Sequence, residues 1–156
     1  MSTPLTILGS GMAGLGLARQ LRGRDPDRPI TVVTADNGDD YSKPLLSTGF
    51  AKRLPPEKLA SRNALEVADQ LNAVMRTRTR VDAIDTTAGQ LLIGSERMPY
   101  GELVIATGAA PRSLFTIPEA LQERVFTIND LDDYRAFYAA LALLRRPAKI
   151  VIVGAG

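Results

Sequence analysis

Leu5-Thr6-Ile7-Leu8 runs directly into Gly9-Ser10-Gly11-Met12-Ala13-Gly14, a Gly-x-Gly-x-x-Gly hexapeptide that restricts the fold more than any other stretch of the chain. The four residues before it read as a short buried strand. From Met12 to Arg22, Leu15, Ala18 and Leu21 recur at helical spacing, so the glycine loop opens a helix. After the proline-punctuated turn Arg24 to Pro29, Ile30-Thr31-Val32-Val33-Thr34 supplies a second strand. Together these pieces make a β-α-β unit with parallel strands and a right-handed crossover.

Each glycine has a separate task in such a loop. The first permits the tight turn, the second leaves the backbone open to a pyrophosphate, and the third allows close helix-strand packing. The helix behind them offers unpaired N–H groups and the positive end of its dipole to phosphate. Asp36, next to Ala35 and about twenty residues beyond the loop, sits where a carboxylate accepts from both adenosine ribose hydroxyls. A negative charge there repels a 2′-phosphate, which disfavours NADP and leaves NAD and FAD. A glycine-rich structural turn and a solvent-exposed acid beside Asn37-Gly38 are the plainer readings. The ordered context of strand, loop, helix, strand and acid favours a dinucleotide site.

The chain has 156 residues, enough for one domain, and 45% of them are hydrophobic with no run long enough to span a bilayer. Met1 to Leu5 carries no basic or cleavable apolar segment, so a soluble, cytoplasmic protein is expected. Neither cysteine nor histidine occurs, which removes disulfides, redox thiols, the common metal ligands and the usual general base. No metal site and no catalytic side chain is expected, and redox chemistry has to come from a bound cofactor. A net charge of +2, without a basic block or interleaved aromatics, gives no support for a nucleic-acid partner.

Further along, residues 36 to 56 read as irregular, punctuated by Gly38, Pro44, Gly49, Pro55 and Pro56, and helical spacing returns from Glu57 to Leu71. Val74-Met75, Arg80 to Ile84 and Gln90 to Ile93 suggest a small antiparallel sheet. Leu103 to Ala106 reads as a buried strand ending at Thr107-Gly108. Asp130 to Leu144 is an amphipathic helix whose Tyr134, Phe137 and Tyr138 are expected to pack onto the sheet. Lys149 to Val153 reads as a last strand, leading into Gly154-Ala155-Gly156, the first residues of a second glycine loop. Arg76, Arg78 and Arg80 would share one face of a strand, either solvated or docking an acidic electron carrier.

Gly9 to Gly14, Tyr41 to Phe50, Thr79 to Asp85 and Tyr100 to Arg112 occur in the order found in FAD-dependent pyridine-nucleotide oxidoreductases, and the chain resembles that family over essentially its whole length. Within the family it is most similar to rubredoxin-NAD reductases, for which Ser42-Lys43-Pro44, Leu46-Ser47-Thr48-Gly49-Phe50 and Ile128-Asn129-Asp130-Leu131 are typical. The resemblance implies an α/β fold: a Rossmann-like parallel sheet with an FAD-binding β-α-β unit and a small antiparallel meander, incomplete relative to full-length relatives. Residues 1–147 would be the N-terminal part of the FAD domain, and 148–156 the first strand and loop of an NAD domain.

The same resemblance puts the FAD pyrophosphate on Gly9, Ser10, Gly11, Met12, Ala13 and Gly14, and the adenosine ribose on Asp36 beside Ala35. It puts the adenine at the Val81 backbone, Lys43 and Pro44 along the cofactor near the flavin, and Ala106, Thr107 and Gly108 against it again. Two departures from the broader ferredoxin-reductase relatives are Thr48 in place of a lysine and Asn129 in place of an arginine. The implied parent is an NADH-dependent flavoprotein reductase serving rubredoxin or a similar small iron carrier, with this segment inactive alone. The alternatives are a ferredoxin reductase of an oxygenase system and a stand-alone nucleotide-binding module.

Overall fold

In β1 (Leu5–Leu8) successive side chains face opposite layers, and β2 (Ile30–Val33) repeats the alternation. Leu5, Ile7, Ile30 and Val32 pack with Leu15 and Ala18 of α1 (Met12–Arg24) and with Val67 and Leu71 of α3 (Ala64–Leu71). Leu8 and Val33 point the other way, onto Leu91 of an antiparallel meander formed by β6 (Ala83–Asp85), β7 (Gln90–Ile93) and β8 (Glu96–Pro99). Two-sided burial explains why the strands read as continuous apolar runs. The computed structural model describes residues 2–112, 115–145 and 147–153.

The central sheet has strand order β5-β2-β1-β9, with β5 at Val74–Arg76 and β9 at Glu102–Ile105, and all three pairings are parallel. The expected α/β architecture is therefore present: a parallel sheet between a helical layer and a meander. A third cluster lies beside it, where Leu46 of α2 (Leu45–Ala51) meets Leu59 and the Leu131 and Tyr134 of α4 (Leu131–Ala142). Beneath this cluster, β3 (Asp40–Tyr41) pairs antiparallel with β4 (Ala60–Arg62).

Several local expectations are corrected. Residues 45–51 are helical, because Gly49 fits under Leu59: a Cβ there would lie 2.6 Å from its Cδ2. The stretch from Glu57 to Leu71 is divided into a 3-10 turn at Pro56–Lys58, β4 and α3, with α3 started by the Asn63–Glu66 capping box. Val74-Met75 belongs to the parallel sheet through β2, and β8 was not anticipated. Arg76 and Arg78 do not share a face: Arg78 lies past the strand at φ +50 and pairs with Asp132, while Arg76 forms a fork on Glu96.

Helix α4 packs on α2 and the Leu59 turn, not on the central sheet. Tyr134 donates to the carbonyl of Leu54 at 3.0 Å, and Phe137 lies 5.4 Å from both Phe50 and Phe126. Lys149 to Val153 forms no strand; Val151 and Ile152 are each 85% exposed, and no strand pairs with them among the described residues. Gly154-Ala155-Gly156 lies outside the described residues.

Candidate functional site

The glycine loop joins the C-terminal end of β1 to α1. Gly9 has φ +106, and a Cβ there would lie 2.3 Å from the Ala106 carbonyl oxygen. A Cβ on Gly14 would lie 2.0 Å from the Gly9 oxygen. Both are therefore required by the protein itself. Gly11 differs: its φ is −71 and nothing lies within 4 Å of a Cβ built there. No internal contact calls for a glycine at this position, so the open backbone suits an approaching ligand.

Helix α1 begins without a side-chain cap and without an acid in its first turn. Its first repeating bond runs from the Leu15 N–H to the Gly11 carbonyl at 3.0 Å, which leaves the N–H groups of Met12, Ala13 and Gly14 without a protein acceptor among the described residues. Unpaired N–H groups at the positive end of a 13-residue helix make an anion cradle. This donor set fits a pyrophosphate.

Asp36 lies beside the loop. Its Oδ1 accepts from Ser10 Oγ at 2.9 Å, Thr34 Oγ1 at 2.8 Å and the Gly38 N–H at 2.8 Å. Oδ2 has no hydrogen-bond donor among the described residues, and Asp36 is partly exposed. One oxygen thus fixes the carboxylate while the other remains to accept ribose hydroxyls. Thr34, buried and linked to Ser10 Oγ at 3.1 Å, is the residue that sequence reasoning missed. A hydroxyl directly after β2, two residues before the acid, was the available signal.

The strand ends bring the other candidates to the same rim. The Arg78 N–H donates to Asp36 O and the Thr79 N–H to Thr34 O, each at 2.8 Å. These bonds carry the chain to Val81, whose side chain packs in the meander cluster and whose own N–H and C=O hold no hydrogen bond among the described residues. Ala106 N–H donates to Leu8 O at 2.7 Å, and Thr107 and Gly108 follow it, exposed. Ala35 is exposed as well. The fingerprint, Asp36, Val81 and Ala106 to Gly108 therefore gather at the carboxyl ends of β1, β2 and β9, where open α/β sheets bind ligands.

Lys43 and Pro44 stand apart, at the start of α2. Lys43 Nζ donates to Asn129 Oδ1 at 2.7 Å, and Thr48 turns back on the Pro44 carbonyl. Their neighbours Ser42 and Leu45 line an open cleft of about 340 Å³ together with Met12 and Tyr41, while Lys43 and Pro44 do not line it. Tyr41 Oη accepts from the Leu131 N–H at 3.2 Å, and burial raises its pKa above the ordinary phenol value. At the α4 end, burial works against ionisation of Asp132, but hydrogen bonds from Arg78 and Arg135 outweigh it and hold the carboxyl below its usual value. Burial likewise opposes the charge on Arg135, and bonds to Asp39 and Asp132 raise its pKa. Among the described residues no group of acids could hold a metal ion, and no helix is long and apolar enough to cross a membrane.

Rubredoxin-NAD(+) reductase of Alcanivorax borkumensis is 39% identical over 138 residues, covering 88% of this chain and 36% of the relative. The nitric oxide reductase FlRd-NAD(+) reductase of Pectobacterium atrosepticum is 36% identical over all of this chain and 40% of its own. The chain thus spans about two fifths of the length of these relatives. Among solved structures, the ferredoxin reductase for the CYP199A2 system of Rhodopseudomonas palustris superposes with a TM-score of 0.76 at 26% identity, over 90% of this chain and 35% of that one. The NADH:rubredoxin oxidoreductase of Clostridium acetobutylicum shares the fold at a TM-score of 0.74 and 24% identity, over 91% of this chain and 36% of that one. Residues 3–156 match the family described as pyridine nucleotide-disulphide oxidoreductase, and the chain belongs to that family.

Proposed function

We propose that this chain is the N-terminal FAD-binding part of an NADH-dependent flavoprotein reductase that passes electrons to rubredoxin or a similar small iron carrier. The observation that carries the reading is the open N-terminus of α1 at Gly11 with the free Oδ2 of Asp36 beside it. In this reading Gly9 to Gly14 hold the pyrophosphate, Asp36 the adenosine ribose, the Val81 peptide the adenine, and Ala106 to Gly108 the far side of the cofactor. Lys43, anchored by Asn129, presents positive charge near the flavin with Pro44. Residues 1–147 form the N-terminal part of the FAD domain and 148–156 open an NAD domain.

The chemistry supplied by bound FAD is acceptance of a hydride from NADH and release of the electrons one at a time. Hydride transfer needs the nicotinamide stacked against the flavin, and these 156 residues contain one complete fingerprint. On its own the chain therefore binds flavin without turning over NADH. Titrating FAD into the purified chain and recording its visible spectrum tests this: a shifted, structured flavin band is expected, and free-flavin spectra at saturating protein would overturn it. A ferredoxin carrier is the second reading, supported by the likeness to the CYP199A2 ferredoxin reductase. Reduction rates of rubredoxin against ferredoxin by the full-length reductase separate the two.

A further inference from the structure

Asp36 can select a ribose only while the turn that carries it keeps Oδ2 free of protein donors, and that turn is fastened from a distant part of the chain. The carbonyl of Asp36 accepts from the Arg78 N–H at 2.8 Å. The Arg78 guanidinium then reaches Asp132 Oδ2 at 2.7 Å, and Asp132 Oδ1 accepts from Arg135 at 2.6 Å. Arg135 also donates to Asp39 Oδ2 at 3.0 Å, and the same Asp39 oxygen accepts from the Asn37 side chain at 2.7 Å. The path starts at Asp36 and returns to its immediate neighbour.

This ring alternates two cations and two carboxylates, so it is formally neutral, and Asp39 is only 13% exposed. Isolated surface pairs contribute little, but a network of forked, partly buried pairs is the exception. None of the four charged groups touches the open N-terminus of α1 or the free oxygen of Asp36. They meet residues 36 to 39 from outside, where the Gly38 N–H also donates to Asp36 Oδ1 and the Asp39 N–H to Asn37 Oδ1. Resting on the reading that Asp36 receives ribose hydroxyls, we propose that Arg135 and Asp132 at the start of α4 are positioning residues for the ribose-binding carboxylate, acting through Asp39 and Arg78.

The test is calorimetric titration of the chain with ADP and with 2′,3′-dideoxy-ADP, which keeps the pyrophosphate and adenine but offers no ribose hydroxyls. The wild-type chain is expected to prefer ADP, and Asp36→Ala to erase the preference. Arg135→Ala is expected to reduce the ADP preference by about tenfold, the cost typical of removing a group that orients a ligating residue, with little change for the dideoxy ligand. Arg135→Lys, which keeps one cation but cannot fork onto both carboxylates, should fall between them and serves if the alanine variant does not fold. Phe137→Ala, on the same helix but outside the ring, should lower thermal stability and leave the preference intact. Equal weakening of both ligands by Arg135→Ala would overturn the positioning role while leaving Asp36 in place. An Asp36→Ala chain that still prefers ADP would overturn the ribose reading itself.

Discussion

Helices α1 and α3 pack side by side on the same face of one parallel sheet, yet their N-termini are finished in opposite ways. Asn63 closes α3 by accepting from the Leu65 and Glu66 N–H groups, while Glu66 reaches back to the Asn63 N–H at 2.8 Å. Helix α1 has a glycine at the equivalent place and no side chain over its first turn. Glycine in place of a capping side chain costs only about a few tenths of a kcal/mol. A helix that omits it where its neighbour has a double one has its N-terminal donors available for something other than the protein. The same division separates the three glycines of the loop, two of which are filled by protein atoms and one by none.

The comparison is broken most severely at Gly14, where Gly14→Val drives a side chain into the Gly9 carbonyl. Destabilisation above about 3 kcal/mol is expected, read as a collapsed thermal melt. Gly11→Val is the counterpart: the melt should be nearly unchanged while FAD affinity falls by at least about 2.7 kcal/mol, two orders of magnitude. Retained flavin binding would mean that Gly11 is not the approach point. Asp36→Ala should weaken FAD binding by about 1.5 to 3 kcal/mol, the range for hydrogen bonds to a charged acceptor.

Asn63→Ala probes the closed end. A loss of about 1 kcal/mol in chemical denaturation is expected, with FAD affinity intact. Sensitivity of flavin binding to this cap would remove the distinction between the two helix ends. The smallest effect concerns Asp132. Because its folded pKa lies below the ordinary value of 3.8, its contribution is complete above that pH and is lost as pH falls through the lower folded value. Asp132→Asn should therefore shrink the acid-limb slope of stability below about pH 4, modestly because the side chain is 39% exposed.

What could be read in advance was what lies close along the chain. The β-α-β unit depends on neighbours in sequence, and its strand, loop, helix and second strand stand where the spacing put them. Val74-Met75 was misplaced because its partner is β2, and a parallel pairing leaves no hairpin turn to announce it. Helix α2 is hidden because Pro44 and Gly49 are breakers in isolation, whereas here Pro44 stands just ahead of the first turn and Gly49 makes room for Leu59. The tyrosines of α4 were recognised as packing residues but assigned to the wrong layer, since apolar spacing names a buried face and not its partner. The ring from Arg78 through Asp132 and Arg135 to Asp39 had no sequence signal, because each pair joins distant segments whose meeting depends on the whole topology.

The contact of Gly9 with the Ala106 carbonyl also sets an order of events. Leu5 pairs with Glu102 across about a hundred residues, so the turn that shapes the fingerprint is not complete when its own β-α-β unit has formed. During synthesis the first strand, helix and second strand leave the ribosome long before β9 and the Ala106 that follows it. Closing so large a loop is slow compared with forming local structure. The chain therefore emerges with its most recognisable motif early and the contact that fixes Gly9 late.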